Sequence, residues 1–371
     1  MKDGDPRHRI AYVDGLRAVA VLLVVAFHCF VAIPHKEHLS AVWAIFSLGK
    51  HGVDLFFVLS GFCLAYPTLK RLHDQGGAVF DISSFAAKRI TRILPPYYLA
   101  IVFVTALTLI LVHFGIQLSA LYPFSWLGVV KNLLFLDGSY YYLNYSFWTL
   151  AVELRWYIVF PILLWVWCRS PRAFAAIAIA CALAWFVRAN SMDVSVLPAF
   201  MLGIVAADMR VRDFRLPFRA VLISLAAVAV ALYQGDPPVS PAWQFAAFVF
   251  VVAAGESLAL CRVLSTRLVA AVGLASYSIY LVHEPLINIM ERYGVYPLLA
   301  GCIAIAFGFV FWTFAERPFV ETSLRARIIS GLQPIFGRWL SRIGIGRTMA
   351  LPTSVAINHK DVHPMPKYRI V

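Results

Sequence analysis

Three ionisable side chains, Asp14, Arg17 and His28, interrupt the first long apolar stretch of the sequence, Ala11–Ile33 (AYVDGLRAVAVLLVVAFHCFVAI). In a helix, successive residues rotate by about 100°, which places Arg17 and His28 roughly 20° apart around the axis and Asp14 and His28 roughly 40° apart. The three side chains therefore share one helix face. Because charged groups in lipid nearly always face a bundle interior or a wet cavity, this face predicts an inward polar stripe.

His28 is the leading candidate for a general base, because histidine is the side chain best poised to take a proton near neutral pH. Asp14 lies about 21 Å away along the axis, so an orienting carboxylate must come from another helix or act through water. Asp14 is kept as a catalytic candidate on the same face, and it can also pair with Arg17 at i, i+3. The alternative for His28 is a hydrogen-bonded interhelical histidine.

Basic residues near the first and third apolar segments are candidates for holding an anion. Arg17 within a span needs either Asp14 or a ligand phosphate as its partner. Lys88, Arg89 and Arg92 precede the third span, and the two arginines share a helix face that suits a phosphate clamp. The alternative is a set of topology signals or lipid contacts.

The segment GVDLFFVLSGF places His51, Asp54 and Ser60 in or near the second span. The His51/Asp54 pair could help to seat a substrate, with simple packing as the equal alternative. Ser60 and Gly61 allow close helix approach. A nucleophilic Ser60 is disfavoured because the sequence shows neither a G-x-S-x-G elbow nor an adjacent base.

Glu153 and Tyr157 lie in WTLAVELRWY, where a carboxylate among aromatic residues could form a wall that faces a sugar. The alternative is an aromatic belt at the membrane interface with a Glu153–Arg155 pair.

In the ninth apolar segment, Ser276, Tyr280 and His283 recur at i, i+4 and i+7, with Glu284 adjacent. A polar stripe of this kind must look inward. It could line the same cavity or bind neighbouring helices together.

Composition indicates a membrane protein, because 61% of the 371 residues are hydrophobic and only 14% are charged. We predict an all-α polytopic membrane helix bundle of about ten transmembrane helices, over residues 11–33, 50–68, 97–115, 147–167, 173–189, 194–209, 219–233, 241–260, 267–289 and 296–315. Most of the 32 Lys and Arg residues fall in loops on the side of the amino terminus. The positive-inside rule therefore predicts that both termini are cytoplasmic.

Two regions are expected along the chain: a transmembrane domain over residues 1–323 and a basic amphipathic cytoplasmic tail over residues 324–371. The start of the tail suits a helix on the inner leaflet, and little fixed structure is expected after Arg347. The net charge of +13 follows the loops and the tail, and it does not indicate a nucleic-acid partner. The six cysteines show no metal-site spacing.

Five motifs in order resemble the membrane acyltransferase-3 family: DGLRAVAVLLVVAFH, GVDLFFVLSGF, KRITRILPPYY, FWTLAVELRWYIVFP and SYSIYLVHEPL. The resemblance implies transfer of an acyl group from acyl-CoA to a hydroxyl acceptor. It implies that His28 is the catalytic histidine and that the paired arginines bind the donor. Glu153 matches the acidic position of the family, which makes it the second candidate for catalysis or for positioning the acceptor. The sequence departs from the family pattern directly after Glu153, where Leu154 and Arg155 follow.

The expected function is that of an inner-membrane O-acyltransferase that moves an acyl group, acetyl first, from acyl-CoA to a glycan or lipid-linked sugar. We expect acyl-CoA, the glycan acceptor and membrane lipid as partners, and no metal. Arg17, Lys88, Arg89 and Arg92 are the candidates for binding the donor. His51, Asp54, Ser60, Tyr157, Tyr280 and His283 are the candidates for binding the acceptor. The competing readings are a solute transporter or permease with a buried polar path, and a non-catalytic partner of a polysaccharide assembly machine.

Overall fold

The computed structural model describes residues 11–33, 45–116, 124–136, 143–186, 192–236 and 239–352. Most of these residues are helical. The first eight helices are α1 (Ala11–Val31), α2 (Gly52–Gln75), α3 (Ile82–His113), α4 (Trp126–Leu134), α5 (Trp148–Arg169), α6 (Pro171–Phe186), α7 (Met192–Val211) and α8 (Phe218–Tyr233). The remaining helices are α9 (Pro241–Glu256), α10 (Leu258–Leu264), α11 (Arg267–Leu274), α12 (Ser276–Arg292), α13 (Pro297–Phe311), α14 (Arg317–Glu321) and α15 (Ser323–Arg342).

The prediction of an α-helical membrane bundle is confirmed. Among the described residues, six helices are long and apolar enough to cross a membrane, or seven if α9 and α10, which meet at 98°, form one bent span. Helices α6 and α8 have only 16 residues each, fewer than the roughly 20 that a span usually needs. Ten spans and cytoplasmic termini stay predictions.

The expected ninth span, 267–289, is divided in the structure. Helix α11 ends at Leu274, and α12 begins at Ser276. The break places Gly273 against the backbone carbonyl of Asp14, where a side chain would clash. A short helix is thus able to pack closely on α1, which helical periodicity alone does not reveal.

Glycines allow α2 and α7 to pack closely. A Cβ on Gly61 would clash with the carbonyl of Phe200, and a Cβ on Gly203 would clash with the carbonyl of Val58. The close approach predicted at Ser60-Gly61 is confirmed. This contact fixes the position of α2, on which Ser60 lies.

Helix α1 lies inside the bundle, where it contacts α2, α11, α12 and α13. Asp14 and His28 are buried, whereas Leu22 and Leu23 are exposed. The polar face of α1 therefore looks inward, as predicted.

The part of the chain after Arg347 departs from expectation. Strand β2 (Thr348–Ala350) pairs antiparallel with β1 (Val79–Asp81), so the fold contains a two-stranded sheet besides its helices. Strand pairing uses backbone groups, which residue polarity does not report. The rest of the predicted unstructured segment lies outside the described residues.

The β1–β2 pair and α15 together hold the beginning of α3. Asp81 ends β1 and caps α3 by accepting a hydrogen bond from the backbone N–H of Ser84 at 2.8 Å. The other carboxylate oxygen accepts a hydrogen bond from Gln333 Nε2 of α15 at 3.2 Å. Helix α15 also packs along α3. The helix that bears Arg89 and Arg92 is therefore anchored at its first turn.

Candidate active site

A cavity of about 820 Å³, including its open mouth, lies between α1, α2, α3, α5 and α12. We call it the arginine cavity. Its polar lining residues are Arg17, Ser60, Cys63, Arg89, Arg92, Thr149, Glu153, Tyr157, Ser276, Tyr277 and Tyr280. Apolar side chains such as Phe57 and Leu150 complete the wall. A concave, mostly apolar space with a few convergent polar groups is the usual form of a small-molecule site.

Three guanidinium groups from two helices meet at one end of this cavity. Arg17 pairs with Asp14, with 3.6 Å between Nη1 and Oδ1. The guanidinium of Arg89 lies 5.7 Å from the centre of the Phe85 ring. Its buried Nε has no hydrogen-bond partner among the described residues. A buried donor without a partner is costly, so this end of the cavity is suited to an anion.

Glu153 lies in the cavity wall with Ser60 and Tyr157. Ser60 Oγ donates to Glu153 Oε1 at 2.8 Å, and the Tyr157 hydroxyl donates to the same oxygen. Arg155 instead pairs with Asp193 at 2.7 Å. The alternative of a Glu153–Arg155 pair is therefore wrong, because the two side chains have different partners.

The carboxylate next to Ser60 could not be found from local sequence. Ser60 and Glu153 are 93 residues apart, and only the packing of α2 on α5 brings them together. The sequence showed no base next to Ser60 because the carboxylate that contacts it comes from a distant part of the chain.

Tyr280 lies beside Phe56 of α2, with 5.7 Å between the ring centres. Cys63, which interacts with Arg17, is seven residues or about 10 Å further along that helix. We therefore call the Tyr280 side of the cavity its tyrosine end.

The Tyr280 hydroxyl lies 2.8 Å from Thr149 Oγ1 and donates to the Ser146 carbonyl at 3.0 Å. The Tyr280 ring also lies 5.6 Å from that of His283. Tyr280 therefore separates the cavity from a pair of histidines.

The histidine pair consists of His28 and His283, whose ring centres lie 4.9 Å apart. His283 Nδ1 lies 2.9 Å from the Tyr280 carbonyl and must donate its proton there. His283 Nε2 is then the unprotonated nitrogen of the neutral ring, and it has no hydrogen-bond partner among the described residues. An orienting carboxylate for His28 was expected from another helix. The rings beside His28 among the described residues are those of Phe27, Tyr145 and His283, and the His283 ring is the nearest of the three.

A second polar group, the His51 cluster, comprises Lys50, His51, Asp54, Asp236 and Trp243. His51 Nδ1 lies 2.9 Å from Asp54 Oδ2, and Nε2 lies 3.0 Å from Asp236 Oδ1. Trp243 stacks on the His51 ring at 4.2 Å and donates to Asp236 at 2.8 Å. Lys50 pairs with Asp236 at 2.9 Å.

The predicted site residues therefore fall into separate groups. Those that line the arginine cavity are Arg17, Ser60, Arg89, Arg92, Glu153, Tyr157 and Tyr280. Those that do not line it are Asp14, His28, His51, Asp54, Lys88 and His283. Thr149 was missed, although its position one turn before Glu153 was a usable signal.

Comparison with known proteins identifies the class of this chain. Residues 10–317 match the family described as the acyltransferase domain of the acyltransferase-3 type. The chain therefore belongs to the acyltransferase-3 family, and the resemblance inferred from five motifs is confirmed.

Individual relatives carry related names. A Staphylococcus aureus (strain COL) protein named "Putative O-acetyltransferase" is 25% identical over 386 residues, which cover 91% of this chain and 61% of the relative. The peptidoglycan O-acetyltransferase OatA of Listeria monocytogenes is 29% identical over 188 residues, or 47% of this chain and 27% of the relative. The chain thus spans about three fifths of the Staphylococcus protein's length. No solved structure matches this chain.

Proposed function

We propose that this protein is a membrane O-acyltransferase that moves an acetyl group from acetyl-CoA to a hydroxyl of a glycan or lipid-linked sugar. Family membership and the relatives named O-acetyltransferases support acyl transfer to oxygen. The observation that carries the donor assignment is the cluster of three arginines in one cavity, including the unpartnered Nε of Arg89. Coenzyme A has three phosphate groups, and guanidinium groups bind phosphate with paired, charge-assisted hydrogen bonds.

In this proposal, coenzyme A enters the cavity with its phosphates at the arginine end. Arg17 and His28 are 11 residues apart on α1, or roughly 16 Å along the axis. The extended pantetheine arm spans a distance of this order. The thioester would then approach Tyr280 and the histidine pair, and Asp14 would hold Arg17 in place for the phosphates. Lys88 stays a secondary candidate, because it does not line the cavity.

We assign the base role to His28. It takes the proton of the acceptor hydroxyl while the oxygen attacks the thioester carbonyl, the C–S bond then breaks, and the proton passes to the departing thiolate. Proton transfer by a positioned histidine contributes about 10²- to 10⁴-fold to a rate. The His283 ring packs edge to face against His28, with 4.9 Å between the ring centres, so His283 is a neighbour that can hold the orientation of the His28 ring. A cell inner membrane location belongs to the same proposal.

The test is acetyl transfer from radiolabelled acetyl-CoA by the purified chain in lipid nanodiscs, with thiol release measured in parallel. We expect His28→Ala to lower the transfer rate about 10²- to 10⁴-fold with normal expression and insertion. His113→Ala is the matched control, because His113 is exposed at the end of α3. Transfer at the wild-type rate by His28→Ala would remove the base assignment. A wild-type chain without thiol release would favour a transporter.

A further inference from the structure

The carboxylate of Glu153 has one occupied and one available oxygen. Oε1 accepts hydrogen bonds from Ser60 and Tyr157, which come from two different helices. Oε2 has no hydrogen-bond partner among the described residues, and Glu153 lines the arginine cavity. A carboxylate fixed through one oxygen is prepared to accept a hydrogen bond through the other. The cavity therefore offers a hydrogen-bond acceptor to a bound ligand.

The position of Glu153 along the cavity follows from α2. The ring of Phe56 lies 5.7 Å from Tyr280, so this turn of α2 is at the tyrosine end. Ser60 and Glu153 lie one helical turn further, about 5.4 Å along the axis. Cys63 follows on the next turn, within electrostatic range of Arg17. Glu153 is therefore midway between the arginine end and the tyrosine end.

The chemistry of this midpoint matches the central part of coenzyme A. Between the phosphates and the sulfur, the pantetheine arm contains two secondary amides joined by methylene groups. Each amide offers one N–H donor, and the methylene groups suit apolar walls such as Phe57 and Leu150. A phosphate could not occupy this position, because the carboxylate would repel it.

We propose that Glu153 binds a pantetheine amide N–H of the donor, with Ser60 and Tyr157 holding the carboxylate in place. The inference rests on the proposed function, since it takes coenzyme A as the donor. It gives Glu153 a binding role and leaves proton transfer to His28. The cavity would then bind the donor at two places: the arginines contact the phosphates, and Glu153 contacts the pantetheine arm.

Two fragments of coenzyme A test this division by binding alone. Pantetheine contains the amides without the phosphates, and adenosine 3′,5′-bisphosphate contains phosphates without the arm. Dissociation constants for coenzyme A and both fragments are measured by competition against labelled coenzyme A on the full chain in nanodiscs. We expect Glu153→Gln to raise the dissociation constants of coenzyme A and pantetheine about tenfold or more, because a hydrogen bond to a charged group is lost. Binding of the bisphosphate should change less than twofold.

Arg89→Ala should give the reciprocal pattern: it weakens the binding of coenzyme A and of the bisphosphate and leaves the dissociation constant of pantetheine unchanged. The matched control is Glu256→Gln, because Glu256 accepts a hydrogen bond from the backbone N–H of Leu216 at 2.7 Å but does not line the cavity. That variant should leave all three dissociation constants unchanged.

The outcomes separate the two proposals. Unchanged pantetheine binding in Glu153→Gln, or equal weakening of pantetheine and bisphosphate, overturns the amide contact alone. A loss of turnover without a change in any dissociation constant also overturns it, because Glu153 would then act on the reaction. A wild-type chain that binds none of the three ligands overturns the donor assignment itself.

Discussion

The arginine cavity and the His51 cluster both contain charged side chains, but the two regions differ in how many protein partners those side chains have. In the His51 cluster, Asp236 accepts contacts from Lys50, His51 and Trp243. In the cavity, Arg89 Nε has no protein partner among the described residues. Charged groups that neutralise one another stabilise a fold, whereas charged groups left open beside a cavity are suited to a ligand. The comparison therefore favours the packing alternative for His51, and ligand binding for the arginines. Asp54 belongs to neither side, because its buried Oδ1 also lacks a hydrogen-bond partner among the described residues.

The largest expected difference between the regions comes from Arg89→Ala. Loss of this guanidinium should raise the KM for acetyl-CoA about 10- to 100-fold, because a charge-assisted contact to phosphate disappears. The thermal midpoint should change little, since the buried Nε of Arg89 has no hydrogen bond to lose among the described residues and the contact of the guanidinium with the Phe85 ring contributes only about 1 kcal/mol. Steady-state kinetics and thermal unfolding in nanodiscs measure the two effects. A fall of several degrees with an unchanged KM would give Arg89 the structural role assigned to the His51 cluster.

The opposite pattern is expected for Asp236→Ala. Three donors lose their shared acceptor, so the free energy of unfolding should fall by about 2–4 kcal/mol, with the KM for acetyl-CoA unchanged. Asp74→Ala is a control, because Asp74 forms an exposed i, i+4 pair with Lys70 near the end of α2, where such pairs contribute little. A raised KM in Asp236→Ala would connect the His51 cluster to donor binding.

The same aspartate predicts a pH dependence. Burial alone would raise the pKa of Asp236, but hydrogen bonds from Lys50 and His51 lower it below its ordinary value. A lowered pKa stabilises the fold at pH values above the ordinary value of about 3.9, and this contribution is lost as the pH falls through the lowered pKa. The stability difference between wild type and Asp236→Ala should therefore be constant from pH 7 to 5 and shrink below about pH 4. A constant difference down to pH 3 would contradict this.

The smallest effects are expected for Ser60→Ala and Tyr157→Phe. Each removes one of the two hydrogen bonds to Glu153 Oε1 while the carboxylate stays. The dissociation constant of pantetheine should rise about two- to tenfold, which corresponds to one ordinary hydrogen bond. Calorimetry of both variants measures the change. A loss as large as that of Glu153→Gln would mean that the hydroxyl groups bind the ligand directly.

Much of the membrane architecture follows from local sequence. The inward face of α1, the shared face of Arg89 and Arg92, and the close packing at Gly61 depend on helical periodicity or residue size, and the structure confirms each. The partners of Glu153 and His28 depend on contacts between distant helices. Ser60 lies 93 residues from Glu153, and His283 lies in another helix from His28, so spacing could not reveal either contact.

The predicted spans show a related limit. Apolar runs such as 267–289 read as one helix because hydropathy averages over a window and does not detect the break between Leu274 and Ser276. Strand β2 was missed for a different reason, because its partner β1 lies more than 250 residues earlier.

The pairing of β1 with β2 also has a consequence for the order of events during synthesis. Residues 348–350 leave the ribosome after every helix described above has been made. Until then, β1 has no neighbouring strand, although α15, which contacts Asp81 through Gln333, has already been made. The helix bearing two of the cavity arginines therefore receives its full support only when translation has passed Ala350, so a nascent chain halted earlier would have its transmembrane helices in place with the arginine end of the cavity incompletely supported.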